Sequence, residues 1–234
     1  MSDPGATELG RAHQAVLQRI AEACARSGRD AGAVQLLAVS KAVPVERLRL
    51  AMAAGITELG ENRVQEALAK AGELSGAQWH LVGHLQSNKA RAAVQVFKVI
   101  QSVDSLALAR RLDALSAGRS GGALPVYLQV NIDRDSGKAG FDPGDLDDGL
   151  AEVVALANLE VRGLMTVGRL VGAAEEARPT FRRLRELAGR LRAVQPGLGA
   201  GLSMGMSDDF EVAVEEGATV VRVGRAIFGE RPAG

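Results

Sequence analysis

A chain of 234 residues is close to the roughly 250 typical of a β/α barrel and long enough to bury one large core. Its 28 basic and 28 acidic residues cancel, which excludes the electrostatic footprint of a nucleic-acid-binding surface and favours a small-molecule ligand. The single cysteine excludes an intramolecular disulfide, no apolar run reaches the ~20 residues that a bilayer span needs, and the start Met1-Ser2-Asp3-Pro4-Gly5 lacks the basic and apolar regions of a signal peptide, so a cytoplasmic protein without membrane contact is expected.

Taken in chain order, the pattern opens with a helix around residues 5–27, in which Cys24 reads as a packing residue. A near-continuous aliphatic run at 34–40 predicts the first strand, which ends at Lys41. Pro44 then suits the first turn of a helix that stops at Gly55. Further strands are expected at 56–59, 79–82, 97–100, 125–131, 161–166, 201–204 and 219–223. Between them lie helical patterns around 63–74, 87–94, 105–117, 143–156, 174–193 and 208–216. Strand and helix alternate throughout, the signature of a parallel sheet with crossover helices. Eight strands favour a single (β/α)8 TIM barrel over 1–234, with an open doubly wound sheet as the alternative; no glycine-rich dinucleotide fingerprint follows the first strand. The glycine-rich stretch at 117–122 reads as a surface loop, because the rhythm resumes after it.

In such barrels the active site lies at the C-terminal ends of the strands, and phosphate is often held by the loops after strands seven and eight. Here those loops carry Ser203, Ser207 and Gly224. Gly224 lets backbone approach a ligand closely, and a serine hydroxyl can add a donor. Taken singly, each loop reads better as an ordinary turn, with Ser207 as a helix cap; it is their joint position that points to phosphate. Closure of the barrel would set strand eight beside strand one and so bring a phosphate near Lys41. An ammonium at the end of an apolar strand is costly unless it is paired or its pKa falls, and a depressed pKa is what an amine needs to attack a carbonyl. The competing reading is a lysine that snorkels to solvent. Two ligand classes fit the pairing of amine and phosphate: pyridoxal 5′-phosphate, or a sugar phosphate as in a Schiff-base aldolase.

The strings Leu37-Ala38-Val39-Ser40-Lys41, Gly60-Glu61-Asn62-Arg63-Val64-Gln65-Glu66, Trp79-His80-Leu81-Val82-Gly83-His84-Leu85-Gln86-Ser87-Asn88-Lys89 and Gly163-Leu164-Met165-Thr166, with residues 202–209, closely resemble the pyridoxal phosphate homeostasis protein family. The resemblance runs nearly end to end. It implies a barrel like the N-terminal domain of alanine racemase, with pyridoxal 5′-phosphate as a covalent aldimine on Lys41, its phosphate near Ser207, Gly224 and Arg225, Arg222 facing the pyridine nitrogen, and Asn62 near the ring. His80 belongs to a matching string and joins this set, with a satisfied core imidazole as its plainer reading. Two departures stand out: Leu59 where the family usually has an aromatic residue, and Arg225 where it commonly has threonine.

A permanently charged arginine opposite the ring nitrogen disfavours the pyridinium and weakens the ring as an electron sink. A racemase also needs a second acid/base, and the only tyrosine, Tyr127, falls mid-strand where packing is the expected role. Asp208 and Asp209 read as acids at a helix start. The resemblance therefore implies a non-enzymatic, monomeric carrier that delivers the cofactor to apoenzymes; the alternatives are an amino-acid racemase and a Schiff-base aldolase.

Overall fold

The structure is a computed structural model that describes residues 3–168 and 171–230. Strands form at each of the expected places: β1 (Gln35–Val39), β2 (Glu58–Glu61), β3 (Gln78–Leu81), β4 (Val99–Val103), β5 (Leu124–Gln129), β6 (Leu159–Met165), β7 (Gly201–Ser203) and β8 (Val220–Val223). They pair in parallel in chain order, and β8 returns to β1 with Leu37 opposite Arg222 and Ala38 opposite Val223. The sheet is thus a closed (β/α)8 barrel, and the open-sheet alternative is excluded.

The connecting helices are α2 (Val45–Ala53), α3 (Val64–Ala71), α4 (Ala90–Val96), α5 (Leu106–Ser116), α6 (Pro143–Val154), α7 (Arg178–Val194) and α8 (Phe210–Glu215), preceded by α1 (Pro4–Arg26) and followed by the short α9 (Arg225–Phe228). Several starts follow from side chains that accept otherwise unpaired N–H groups. Asp3 accepts from Gly5 N and Asp142 from Gly144 N, each ahead of a proline in the first turn, and Ser105 accepts from Leu108 N.

Alternation along the strands sorts two apolar regions. Leu36 and Ala38 pack with helix residues such as Leu48 and Ile20, whereas Leu37 belongs to a separate cluster with Val99, Tyr127, Met165 and Val220, which contains strand residues alone and marks the barrel lumen. The lumen is not uniformly apolar: His80, Gln101, Ser203 and Arg222 share it with that cluster, all buried. Two strands run beyond their expected ends. The sequence pattern stops β2 at Leu59 and β4 at Ile100, but Gly60-Glu61 and Gln101-Ser102-Val103 continue the pairing with polar residues that a hydrophobicity pattern cannot recognise as strand.

The seam between β8 and β1 is covered by α1, which packs against α2, α8 and α9. Arg19 on α1 makes a two-pronged bond to Glu211, both contacts at 3.0 Å, and stacks 4.6 Å above the ring of Phe210. Arg29 donates to Ala218 O at 2.8 Å and to Val214 O. The N-terminal helix therefore holds the first and last βα units together, and with them the two strand ends that carry the site. No helix among the described residues is long and apolar enough to cross a membrane.

Candidate functional site

β1 ends in a tight turn. Val43 N–H donates to Ser40 O at 3.0 Å, and Ala42 takes a φ of 60°. A left-handed non-glycine residue costs roughly 1–2 kcal/mol, so the surroundings must hold it. Two contacts do so: Ala42 N–H donates to Glu66 Oε2 at 3.3 Å, and Lys70 Nζ donates to Ser40 O at 2.9 Å. Lys41 occupies the corner of this turn at the C-terminal rim of the barrel, half-buried.

Six of the residues picked out in the sequence line one cavity of about 360 Å³: Lys41, Asn62, Ser207, Arg222, Gly224 and Arg225. Their convergence is a product of closure. Ala38 stands opposite Val223, so the next step along both strands sets Gly224 against Val39, two residues before Lys41. A Cβ on Gly224 would come within 3.1 Å of Val39 O, which explains the absence of a side chain there. Gly224 N–H donates to Ser207 Oγ at 3.3 Å, tying the loops after β7 and β8 together. Ser207 therefore serves the loop, and the residue that opens α8 is Asp209, whose Oδ1 accepts from Met206 N at 2.6 Å. The exposed Arg225 guanidinium pairs with Asp208.

Arg222 is 5% exposed, so its cation is held inside the barrel and not at the surface. Its Nη1 donates to Ser203 Oγ at 2.7 Å and its Nη2 to Thr166 O at 2.8 Å, so among the described residues two of its five N–H donors are engaged and the others are available for further contacts. Burial pulls its pKa down to about 10, against the opposing influence of the Asp209 carboxylate, and it stays cationic at neutral pH. Asp209 is pushed up by its own burial, offset by the Met206 N–H bond and by Arg222.

Ser203 and His80 do not line the cavity. They lie beneath it in the lumen, where Ser203 meets Arg222 and Gln101, and His80 meets Gln101 and Glu58. The plainer reading of His80, a satisfied core imidazole, matches its contacts. Lys138, on the loop after β5, donates to Gly168 O at 2.9 Å. Tyr127 sits in the lumen, its ring in the space left by Gly201, where a Cβ would lie 2.7 Å from Tyr127 Cε1. It packs, as its mid-strand place suggested.

Sequence reading missed two groups. Outside the barrel wall, Glu61 Oε1 accepts from Lys70 Nζ at 2.6 Å and from Ser40 Oγ at 2.8 Å, and all three residues are buried directly behind the Lys41 turn. No spacing rule announces a pairing between a strand end and a helix nine residues on. The other is Gln101, for which the signal was present: an amide between Ile100 and Ser102 in a buried strand requires a partner.

Asn62 is held by a close approach. A Cβ on Gly83 would stand 2.3 Å from Asn62 O and 2.7 Å from its Cα, both backbone atoms that cannot yield cheaply. Gly83→Ala is therefore expected to destabilise the protein by about 1–3 kcal/mol, the usual cost of overpacking, and to shift Asn62. Gly72→Ala, with open space around its Cβ and an ordinary helical φ, serves as control. Thermal unfolding of the two variants checks this; equal melting points would show that the approach is not tight.

Against known proteins, residues 14–232 match the family model for the alanine racemase N-terminal domain. The pyridoxal phosphate homeostasis protein of Pseudomonas aeruginosa is 46% identical over 224 residues, covering 94% of each chain, and that of Aquifex aeolicus is 40% identical over 218 residues, covering 92% of this chain and 95% of the relative. Among solved structures, PipY of Synechococcus elongatus with pyridoxal phosphate bound superposes with a TM-score of 0.80 at 47% identity, over 90% of this chain and 100% of that one. An alanine racemase of Clostridium difficile shares the fold alone, at 15% identity and a TM-score of 0.73; 97% of this chain covers 58% of it. By sequence and by barrel architecture, the chain belongs to the pyridoxal phosphate homeostasis protein family, built on the alanine racemase N-terminal domain.

Proposed function

We propose that this chain is a single-domain carrier of pyridoxal 5′-phosphate: it holds the cofactor at the C-terminal mouth of the barrel, tethered to Lys41, and passes it to apoenzymes without turning over a substrate. The observation that carries the reading is the meeting, in one cavity, of a lysine amine, a buried arginine and the Ser207–Gly224 loop pair. These donors match a phosphorylated aldehyde. Lys41 supplies the amine for the aldehyde. Ser207, the backbone at Gly224 and Arg225 take the phosphate, with the Arg225 side chain shared with Asp208. Arg222 lies toward the ring nitrogen and Asn62 beside the ring. The names of the relatives and the cofactor in PipY support the choice of ligand.

Bound in this way the cofactor supplies an electrophilic carbonyl and an aromatic electron sink. The residues restrain the second property. A cationic Arg222 repels a proton on the ring nitrogen, which reduces the ring's capacity to stabilise a carbanion. Tyr127, the residue type that a racemase uses as its second base, is packed in the lumen and does not line the cavity.

Two measurements test the proposal together. Protein saturated with pyridoxal 5′-phosphate is expected to exchange no α-protons of common amino acids in deuterated water beyond the rate of free cofactor, and to activate a pyridoxal-dependent apoenzyme in the presence of a trap for free cofactor. Enzyme-like exchange would overturn the non-catalytic reading, and activation abolished by the trap would overturn direct delivery.

A further inference from the structure

A chain of buried hydrogen bonds crosses the barrel lumen beneath the cavity. Arg222 Nη1 bonds Ser203 Oγ at 2.7 Å, Ser203 Oγ bonds Gln101 Oε1 at 2.6 Å, Gln101 Nε2 bonds His80 Nδ1 at 3.0 Å, and His80 Nε2 bonds Glu58 Oε2 at 2.9 Å. The four links join β8, β7, β4, β3 and β2. Arg222, Ser203, Gln101 and His80 are each 5% exposed or less.

The chain has a direction that chemistry imposes. A guanidinium only donates, so Ser203 Oγ accepts from Arg222 and turns its own proton to Gln101 Oε1. The amide is thereby oriented, with its NH₂ toward His80. Nδ1 of His80 must accept, so the ring proton sits on Nε2 and is donated to the Glu58 carboxylate. If Gln101 were flipped, two donors would converge on Ser203 Oγ and its amide oxygen would face Nδ1. The donors thus run one way, from the buried arginine to the Glu58 carboxylate at the half-exposed end.

We propose that Gln101 and His80 are positioning residues for Arg222: through Ser203 they fix the guanidinium at the cavity floor, so that its remaining N–H donors are presented to the ligand at a constant angle. This assigns His80 and Ser203 a part in the site without contact to the ligand. The proposal rests on the carrier reading only for the identity of the molecule above Arg222. An apolar lumen would leave Arg222 with the single anchor at Thr166 O, about which the guanidinium can swing.

The test uses the full chain in two states. In cofactor-free protein, the Arg222 guanidinium is followed by nitrogen-15 NMR, assigned by its disappearance in Arg222→Lys. Gln101→Met and His80→Phe, two and three links away, are expected to speed its N–H exchange by about tenfold or more, as loss of a buried hydrogen bond allows. Gln101→Glu, which keeps an acceptor for Ser203 Oγ, is expected to preserve the slow exchange. In cofactor-loaded protein the first two variants should shift the cofactor's absorption maximum while Gln101→Glu leaves it near the parent's. Parent-like Arg222 exchange in both disruptive variants overturns the proposal whether or not pyridoxal 5′-phosphate binds; if Gln101→Met fails to fold, His80→Phe decides by the same criterion. Absence of cofactor binding by the parent protein would sink the carrier reading and leave the NMR result to stand by itself.

Discussion

Lys41→Ala protein mixed with excess pyridoxal 5′-phosphate is expected to lose the visible absorption of lysine-bound cofactor completely, while retaining weaker, non-covalent binding. Among the described residues, no other lysine lines the cavity. Lys70, behind the Lys41 turn, points its ammonium at Ser40 O and Glu61 on the outer side of the barrel wall, and Lys138 is turned to Gly168 O. Neither lines the cavity. The phosphate-side groups, Ser207, Gly224 and Arg225, do not depend on Lys41 for their positions, since they are tied to each other and to Asp208. Residual binding should therefore persist and be displaced by inorganic phosphate. Lys41→Arg separates charge from chemistry: it keeps a cation at the rim but cannot condense with an aldehyde, so it too should lack the band. A band of parent intensity in Lys41→Ala would place the tether elsewhere and overturn the proposed role of the β1 turn.

Most of this geometry was legible in the sequence because it follows from periodicity. Eight aliphatic runs separated by amphipathic segments specify the barrel, closure sets strand eight beside strand one, and the meeting of Lys41 with Gly224 follows from that neighbourhood alone. The polar interior was not legible in the same way. Hydrophobic pattern assigns Gln101 to a strand end and His80 to a core, yet their roles depend on which residues the barrel brings opposite one another, and Ser203 and Gln101 are 102 residues apart. Glu61 illustrates the same limit: in sequence it follows a glycine in a recognisable string, but its partner is fixed by how α3 packs on the barrel wall. The strain at Ala42 left no trace, because alanine is an ordinary residue whose left-handed backbone is imposed by contacts from β2's neighbour α3.

Lys70→Met is expected to be the most destabilising conservative substitution near the site, at about 3–5 kcal/mol near neutral pH, because it leaves the fully buried Glu61 carboxylate without its counter-charge. Burial already raises the Glu61 pKa, with the Lys70 hydrogen bond and charge and the Ser40 hydroxyl pulling it back. Removing Lys70 removes the two largest opposing effects, so the pKa in the variant rises further. A carboxyl whose folded pKa lies above its unfolded value favours the fold below the unfolded pKa, and that advantage is lost as pH rises through the folded pKa. The penalty of Lys70→Met should accordingly shrink on acidification, as Glu61 takes up a proton; Oε2, which has no hydrogen-bond partner among the described residues, is the oxygen placed to carry it. Adding Glu61→Gln to Lys70→Met supplies a neutral group at all pH values and should recover most of the loss. Urea unfolding of the parent, single and double variants across mildly acidic to neutral pH measures this, with unchanged m-values as the check on two-state behaviour. A pH-independent penalty, or one below about 1 kcal/mol, would mean that the pair is not desolvated as the structure has it. The consequence reaches the site. Lys70 shares Ser40 O with the turn that presents Lys41, so the single variant should also bind pyridoxal 5′-phosphate more weakly at neutral pH, a loss that the double variant does not fully restore because methionine cannot donate to Ser40 O.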